Sequence, residues 1–509
     1  MSRSLPVTAP DGTPLAADYR LPDGPGPFPC VLIRTPYDRR SHAAELRAWA
    51  RRGFAAVAQD VRGRHGSGGR WHPYRHEAED GAATVRALRR RPWSNGAVVA
   101  CGASYAAHCA LAIALHADPK ARPDAVIAAV PALGLAETAR EPSGAERLLA
   151  RAGWWAAHGD RPDSDPSALD RALAADPRLL EHLPLLDLPR RLGRPLPSWQ
   201  RLWNAARSGD PAGTSGTGLR AASATVPLLA VGGAYDPFAA DTVALWRAWG
   251  AAARLLIGPW GHALTASPGP GCGAGHRLVL GPLYAAFAQA ALNGTLTGRR
   301  GAVALAGTDA WLAAQDLARP LAPLRIDGTD LQVLQGEEFV ADPQQPVRSD
   351  RLDVPAGAPP DRLLAVGRPL PHALDLAGDA EARITAAADA PSADWAVRLV
   401  AVTPRGTAEP LAVGITRSRA PAGKRTAIGV PLGPLYRRLP PGVRLRLEIA
   451  GHHFPAHARN PHTGQDPLRA TALRPSRRAV DPHGSRLLLP VADPAAPIRT
   501  VDPVEEITR

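Results

Sequence analysis

Lysine and cysteine are scarce in this chain: of its 509 residues, only Lys120 and Lys424 are lysines, and only four are cysteines. The cysteines form no CxxC pair and no metal-ligand spacing, so neither a disulfide framework nor a cysteine-bound metal is expected. No apolar run reaches the roughly 18 residues of a transmembrane helix, and the first residues, MSRSLPVTAPD, lack the apolar segment of a secretory signal. We therefore expect a cytoplasmic protein with no membrane partner.

Acidic residues are also in the minority, since 60 basic and 47 acidic side chains give a formal net charge of +13. The arginines are dispersed, however, and no basic stripe is interleaved with aromatic residues. The tightest clusters, Arg51–Arg52 and Arg89–Arg91, end helical stretches, where cations complement the helix dipole, and Arg477–Arg478 is assigned to a loop. The charge therefore predicts a solvated basic surface and no nucleic-acid partner.

The first third of the chain alternates short apolar runs with stretches of helical periodicity. The runs are apolar throughout, as is typical of parallel strands buried on both faces, and cover Cys30–Arg34, Phe54–Gln59, Ala97–Cys101 and Ala125–Val130. Helical spacing lies between them, over Ala43–Arg52, Glu77–Arg91 and Tyr105–Ala117. This βαβα order predicts an α/β fold whose doubly wound parallel sheet begins in residues 1–132.

The alternation stops between residues 133 and 225, where the spacing is helical and no strand pattern is clear. The helical segments are Leu148–Trp155, Ala168–Leu180 and Trp199–Ala206, followed by a connection rich in Gly, Ser and Thr, Ser208–Gly218. Two further buried strands and two helices then follow, over Pro227–Gly232, Ala239–Ala252, Arg254–Gly258 and Val279–Leu292. Residues 133–225 are therefore predicted to be a helical cap, inserted into a sheet domain that resumes over 226–309.

Residues 310–509 show a two-residue alternation of apolar and polar side chains. Pro, Gly and Asp turns separate the alternating runs, which are Leu324–Asp327, Ala382–Ala387, Ala396–Val402, Leu411–Thr416 and Arg444–Ile449. This pattern predicts a C-terminal all-β domain, an antiparallel β-sandwich or jelly roll.

Ser104 is the candidate nucleophile. It follows the predicted strand Ala97–Cys101, and a helical run begins directly after it. A serine on a sharp strand-to-helix turn needs small neighbours because the backbone packs closely there, and Gly102, Ala103 and Ala106 meet that need. The alternative for this segment alone is a serine that only caps the helix.

Asp236 and His262 are the candidate partners of Ser104. On a strand-to-helix nucleophile turn of this type, the acid and then the histidine follow on loops after later strands, and both residues occupy such positions. Taken singly, Asp236 has an alternative as a turn residue before Pro237, and His262 as a loop histidine beside Trp260. Order and placement together favour a Ser–His–Asp triad.

Stabilising the oxyanion that forms in such a reaction takes two donors. The backbone N–H of Tyr105 lies at a predicted helix N-terminus, directed at the developing charge. The loop after the first long strand, Arg34–Asp38, usually supplies the other donor, and Tyr37 offers its phenol there. The alternative is that Tyr37 is an ordinary, partly buried loop tyrosine.

The remaining polar motifs predict no metal and no cofactor. The other histidines of the core region match no ligand spacing: His42, His65, His72, His76 and His108. The Gly-rich segment 62–69 lacks the GK[ST] ending of a phosphate-binding loop and is assigned to a plain loop. Glu77 and Asp80 are assigned to the first turn of a helix as anions that favour its dipole.

Ordered motifs extend along nearly the whole chain, as follows: Asp11–Asp18, RTPY at Arg34–Tyr37, GFAAVAQDVRGR at Gly53–Arg64, HEAEDG at His76–Gly81, PWSNG at Pro92–Gly96, GASY at Gly102–Tyr105, DWAVRLVAVTPRG at Asp394–Gly406, GITRSR at Gly414–Arg419 and PGVRLRLEIAGHHFPAHARNPHTG at Pro441–Gly464. With these motifs the chain resembles the CocE/NonD family of hydrolases, which contains the cocaine esterase. The family is related to the X-Pro dipeptidyl-peptidases and the α-amino-acid ester hydrolases.

The resemblance implies an α/β-hydrolase core, an inserted helical cap and a C-terminal jelly roll. It also implies hydrolysis of esters or amides by a triad of Ser104, Asp236 and His262, with Tyr37 and the Tyr105 amide as the oxyanion hole. The family motif GxSYxG is not complete, because the chain has Ala107 where the last glycine is usual. An added methyl group costs little at a helical position with negative φ, so we expect activity to survive.

The predicted substrate is therefore a small ester or amide, including a short peptide. A dipeptidyl-peptidase has to hold a free α-amino group, and the cap offers six carboxylates for it: Glu137, Glu141, Glu146, Asp160, Asp163 and Asp165. Acyl transfer to a biosynthetic acceptor and a non-catalytic binding role on a hydrolase scaffold are the alternatives. The sequence leaves open whether the C-terminal domain shapes the acyl pocket or forms a homodimer contact.

Overall fold

A computed structural model describes residues 3–192, 196–208, 220–317, 321–354, 359–493 and 495–509 of the chain. The predicted connection Ser208–Gly218 lies outside the described residues from residue 209 onward. Within the described ranges, no helix is both long and apolar enough to cross a membrane. The strands form one ten-stranded sheet, two five-stranded sheets and one two-stranded ribbon.

The ten-stranded sheet carries the first part of the chain. The strands up to residue 313 are β1 (Arg3–Thr8), β2 (Pro14–Arg20), β3 (Phe28–Thr35), β4 (Ala55–Asp60), β5 (Ser94–Ala103), β6 (Ala125–Ala129), β7 (Leu228–Gly233), β8 (Ala253–Gly258), β9 (Trp260–Gly261), β10 (Leu264–Pro268), β11 (Arg299–Ala304) and β12 (Trp311–Ala313). The sheet order is β1-β2-β4-β3-β5-β6-β7-β8-β11-β12, and β9 pairs with β10 in the separate ribbon. From β4 to β11 in this order each strand is parallel to the next, whereas β2 pairs antiparallel with β4 and β12 pairs antiparallel with β11.

Helices cover both faces of this sheet, as the apolar strands require. The helices are Ala43–Ala50, Glu77–Arg89, Tyr105–Ala114, Ala239–Ala248 and Leu280–Leu292. Successive strand residues point to opposite faces, so Leu228 and Leu255 belong to one buried cluster while Leu229 and Leu256 belong to the other. The predicted α/β core is confirmed; the first four of these helices end a few residues earlier than the periodicity indicated, and the fifth ends at Leu292 as predicted.

Residues between β6 and β7 form the predicted helical segment. The described helices of this segment are Leu135–Ala139, Leu148–His158, Ala168–Ala175, Leu188–Arg191 and Ser198–Ser208. Trp155, Trp199 and Trp203 are buried together in one cluster, so large aromatic side chains hold these short helices. This segment is called the cap.

The C-terminal part is antiparallel, as predicted. It contains β13 (Ala322–Arg325), β14 (Leu331–Gln335), β15 (Glu338–Ala341), β16 (Arg362–Gly367), β17 (Leu374–Ala388), β18 (Ala393–Val402), β19 (Ala408–Ser418), β20 (Thr426–Leu439), β21 (Arg444–Ala450) and β22 (Ser476–Leu489). One sheet has the order β13-β22-β17-β20 with β15 also on β22, and the other has the order β14-β16-β21-β18-β19. Inward-facing residues of both sheets, such as Ile384 and Leu447, share one buried cluster.

Two predictions about this half of the chain need correction. The first sheet continues past residue 309 into β12, and the helix Pro503–Thr508 returns to it, with Ile507 buried in the same cluster as Phe287. Arg477–Arg478 is not a loop but part of β22. Arg478 is buried, because its guanidinium lies over the Trp395 ring at 5.1 Å, where aromatic contact replaces water.

Candidate active site

Ser104 lies at a sharp turn between β5 and the helix Tyr105–Ala114. Its backbone has φ 58° and ψ −121°, a strained conformation for a residue with a side chain. A Cβ on Gly102 would lie 2.4 Å from the carbonyl carbon of Ala106, so only glycine fits at that position. Ala107 is buried inside the helix and is therefore accommodated in the place of the family's glycine. The tight turn lifts the Ser104 side chain above the carboxyl end of the sheet.

Asp236 and His262 meet Ser104 at this edge. His262 Nδ1 lies 2.5 Å from Asp236 Oδ2, and His262 Nε2 lies 3.1 Å from Ser104 Oγ. Asp236 is buried, and its Oδ1 accepts a 2.7 Å hydrogen bond from the Phe238 amide. His262 follows the short strand β9 and not β8 directly, a detail that the sequence pattern missed. The three residues form one continuous hydrogen-bonded chain.

Tyr37 completes this corner from the loop after β3. The indole N–H of Trp154 donates to the Tyr37 hydroxyl at 3.2 Å. Burial raises the pKa of Tyr37, while hydrogen bonds with Trp154, the Ser104 side chain and the Tyr105 backbone oppose that rise. The Tyr37 hydroxyl is therefore adjacent to both Ser104 Oγ and the Tyr105 amide, at the place where an oxyanion would form.

Glu77 anchors the side chain of Tyr105, a contact that the sequence did not predict. Its hydroxyl donates to Glu77 Oε1 and accepts a 2.6 Å hydrogen bond from the Tyr74 amide. Glu77 does lie in the first turn of its helix, but it is buried, and this burial raises the pKa of its carboxyl. The HEAEDG motif was the sequence signal for Glu77, but spacing alone could not show that Glu77 bonds with Tyr105.

Asp80, the second predicted first-turn anion, is also buried. Its Oδ1 lies 2.7 Å from Arg62 Nη2, and its Oδ2 lies 3.9 Å from Arg34 Nη2. Because both arginines come from the strand ends beside the site, the carboxylate ties the helix to the loops that carry Tyr37 and the Gly-rich segment. Asp80 therefore connects its helix to neighbouring segments, in addition to favouring the helix dipole.

Aromatic side chains of the cap cover the site. Trp154 stacks on Tyr105 with ring centroids 5.8 Å apart and contacts Trp71 at 5.6 Å. His158, one turn later on the same helix, lies 5.0 Å from the Tyr37 ring, and Phe238 lies 5.6 Å from His262. Aromatic rings therefore flank Tyr37, Tyr105 and His262 around Ser104.

The Gly-rich segment 62–69 is a loop that joins the core to the cap. Its Arg64 is fully buried and donates to four acceptors, the carbonyls of Pro36, His158 and Arg161 and the hydroxyl of Ser164. Burial lowers the pKa of Arg64 to about 10. The segment thus positions the cap over the site.

The six cap carboxylates are distributed over two regions. Glu137, Glu141 and Glu146 line a cleft of about 760 Å³ together with Asp241, whereas the other three lie elsewhere: Asp160, Asp163 and Asp165. Glu141 pairs with Arg147 and His457 at 2.9 Å each. Burial raises the pKa of Asp241 to about 6. The carboxylates of the second group lie near the surface of the cap, where Asp165, for example, forms an ion pair with Arg171.

Within the described part of the chain, no three His, Cys, Asp or Glu side chains are arranged to hold a metal ion. The four cysteines Cys30, Cys101, Cys109 and Cys272 are free thiols.

Comparison with known proteins identifies the class. Residues 11–264 match the family described as X-Pro dipeptidyl-peptidase (S15 family), and residues 296–486 match the X-Pro dipeptidyl-peptidase C-terminal non-catalytic domain. The cocaine esterase of Rhodococcus sp. (strain MB1 Bresler) is 25% identical, over 94% of this chain and 96% of its own length.

Two solved structures share the fold over nearly the whole chain. An α-amino acid ester hydrolase has a TM-score of 0.76 and 19% identity, covering 96% of both chains. A CocE/NonD family hydrolase from Staphylococcus aureus has a TM-score of 0.63 and 14% identity, covering 96% of this chain and 93% of its own. The fold is that of an α/β hydrolase with a C-terminal all-β domain. The chain is thus a serine hydrolase of the X-Pro dipeptidyl-peptidase (S15)/CocE type.

Proposed function

We propose that Ser104 is the nucleophile of an esterase or amidase, with His262 as its general base and Asp236 as the group that orients His262. The observation that carries this proposal is the hydrogen-bonded chain from Asp236 Oδ2 through both nitrogens of His262 to Ser104 Oγ. A buried carboxylate on one imidazole nitrogen leaves the other free to accept the serine proton.

Catalysis proceeds in two steps. His262 takes the proton of Ser104 while Oγ attacks the substrate carbonyl, and the Tyr37 hydroxyl and Tyr105 amide donate to the oxyanion. The leaving group departs with the proton from His262, which forms an acyl-enzyme at Ser104. Water, activated by His262, then attacks the acyl carbon and releases the carboxylic acid, so one water is consumed for each ester or amide bond broken.

Among acyl substrates, we propose that the enzyme prefers carboxylic esters to X-Pro peptides. A peptidase of the second kind needs a carboxylate for the substrate's α-amino group, and arginines already accompany the acidic side chains in the cleft. Arg147 pairs with Glu141 at 2.9 Å, and Arg417 pairs with Glu146 at 2.9 Å. A panel of short acyl esters, aryl esters and aminoacyl-proline nitroanilides tests this preference by kcat/KM. Faster turnover of the nitroanilides would reverse it.

Labelling by a fluorophosphonate probe tests the nucleophile. Ser104→Ala should abolish labelling, because the probe requires an activated serine hydroxyl. The matched control is Ser223→Ala, an exposed serine whose hydroxyl donates only to the Arg220 carbonyl, which should label like the unmodified protein. Labelling that survives in the Ser104 variant would reject the assignment.

Product analysis separates hydrolysis from the two alternatives. A burst of p-nitrophenol followed by steady turnover indicates an acyl-enzyme that water releases. Faster nitrophenol release on addition of an alcohol or amine, with a transferred product, would favour acyl transfer. An absence of turnover on every acyl substrate in the panel would favour a binding protein on a hydrolase scaffold.

A further inference from the structure

Arg151 lies on the cap helix Leu148–His158, on the face that covers the candidate active site. Residues spaced by three and four positions share one face of a helix, which groups Arg151 with Trp154 and His158. Trp154 donates to the Tyr37 hydroxyl at 3.2 Å, and the His158 ring lies 5.0 Å from the Tyr37 ring. Arg151 is thus presented to the same corner of the site.

The guanidinium of Arg151 is almost completely withdrawn from water, with 4% of the residue exposed. The Tyr74 phenol is the neighbour that acts on it most strongly, and the guanidinium lies 6.0 Å from the centre of the Trp154 ring. Its Nε is buried without a hydrogen-bond partner among the described residues. Burying a cation with such contacts alone costs desolvation free energy. An anionic partner would offset that cost.

The groups that act most strongly on Arg151 include no anionic partner for it. The charged and titratable groups that influence it most are Tyr74, Arg147 and Tyr37, and none of them is a carboxylate. Arg147, one turn earlier, is already engaged with Glu141. Arg151 is therefore a buried cation with no carboxylate among its strongest charged neighbours in the described part of the chain.

We propose that Arg151 recognises an anionic group on the substrate, so that the preferred acyl group carries a second carboxylate. This inference rests on the proposed function, because it places the acyl chain between Ser104 and the Arg151–Tyr74 pair. A planar guanidinium binds a carboxylate through two parallel hydrogen bonds, and the apolar surroundings of Trp154 strengthen such a pair. The second carboxylate supplies the missing counter-charge of Arg151.

The test compares three p-nitrophenyl esters on the purified full-length protein: the monoester of glutaric acid, the pentanoate ester and an aminoacyl ester. We expect kcat/KM for the glutarate monoester to exceed that for the pentanoate by about tenfold or more, as a charge-assisted contact allows. In Arg151→Met this ratio should fall to about one, while Arg151→Lys, which keeps the charge without the planar fork, should retain part of it. A preference for the pentanoate or the aminoacyl ester in the unmodified protein would overturn the inference.

A matched control and a second readout guard against a folding defect. Arg171→Met removes an exposed arginine of the same cap and should leave the ratio unchanged. In the unmodified protein, free glutarate should slow fluorophosphonate labelling of Ser104 at concentrations at which pentanoate does not. Equal protection by the two acids would overturn the inference while leaving the proposed function intact. An unmodified protein that the probe does not label would contradict the proposed function instead.

Discussion

The Tyr105 hydroxyl donates a hydrogen bond to Glu77, so the residue next to the candidate nucleophile is held by a buried carboxyl from another helix. Tyr105 contributes its backbone N–H to the proposed oxyanion hole, and its side chain stacks on Trp154 of the cap. One residue therefore links the turn of Ser104, the helix Glu77–Arg89 and the cap. Changes at Glu77 should be measurable at the active site.

Glu77→Ala should lower both stability and kcat. The substitution leaves the buried Tyr105 hydroxyl without its acceptor, which costs about 1–3 kcal/mol. Glu77→Gln should do less harm, because its amide oxygen can still accept the hydrogen bond. Chemical denaturation and steady-state kinetics measure the two effects. Glu79→Gln, at a largely exposed position of the same helix, is the control and should change neither quantity.

Tyr37→Phe should lower kcat by about 10²- to 10³-fold, the usual effect of losing one oxyanion donor. KM for a p-nitrophenyl ester should change much less, because the hydroxyl acts mainly on the charge that develops in the transition state. Fluorophosphonate labelling at Ser104 should persist, though more slowly. A variant with full kcat would mean that Tyr37 is only a loop tyrosine.

Acid should destabilise the protein through buried histidines. Burial lowers the pKa of His108 and His462 to about 4 and that of His453 to about 3. Their unfolded pKa is about 6.5, so as the pH falls below that value the unfolded chain takes up protons first. The contribution of these histidines to the free energy of unfolding therefore has its full value above about pH 6.5. It should decline as the pH falls toward their pKa values in the folded protein.

A thermal-melting series from pH 7.5 to pH 4 measures that decline. His453→Asn should make Tm less dependent on pH over this range, because it removes one of the buried groups responsible. His483→Gln changes a histidine whose side chain is 82% exposed and should leave the slope unaltered. A Tm that stays constant down to pH 4 would contradict the prediction.

Ala107→Gly restores the glycine that is usual in the family's serine motif, and it should leave kcat essentially unchanged. Ala107 lies inside the helix Tyr105–Ala114, where glycine is less favourable than alanine by about 1 kcal/mol. The variant should therefore unfold at a lower denaturant concentration while hydrolysing esters at the same rate. A large gain in kcat would show that the methyl group disturbs the nucleophile turn.

The amino-acid sequence by itself determined the local features of this protein. Continuous apolar runs and two-residue alternation predicted a parallel sheet followed by an antiparallel domain, because burial on two faces and on one face leave different periods. The placement of Ser104, Asp236 and His262, in this order, after strands of the parallel sheet predicted that they would meet, since parallel strands end at one edge of the sheet.

Only the tertiary structure decided which residues surround that triad. Glu77 bonds with Tyr105, and Trp154 bonds with Tyr37, through contacts between segments far apart in the chain. The return of the C-terminal helix to the first sheet was equally invisible to periodicity. Periodicity reports which face of an element is buried but not what it is buried against, and long-range packing supplies that second fact.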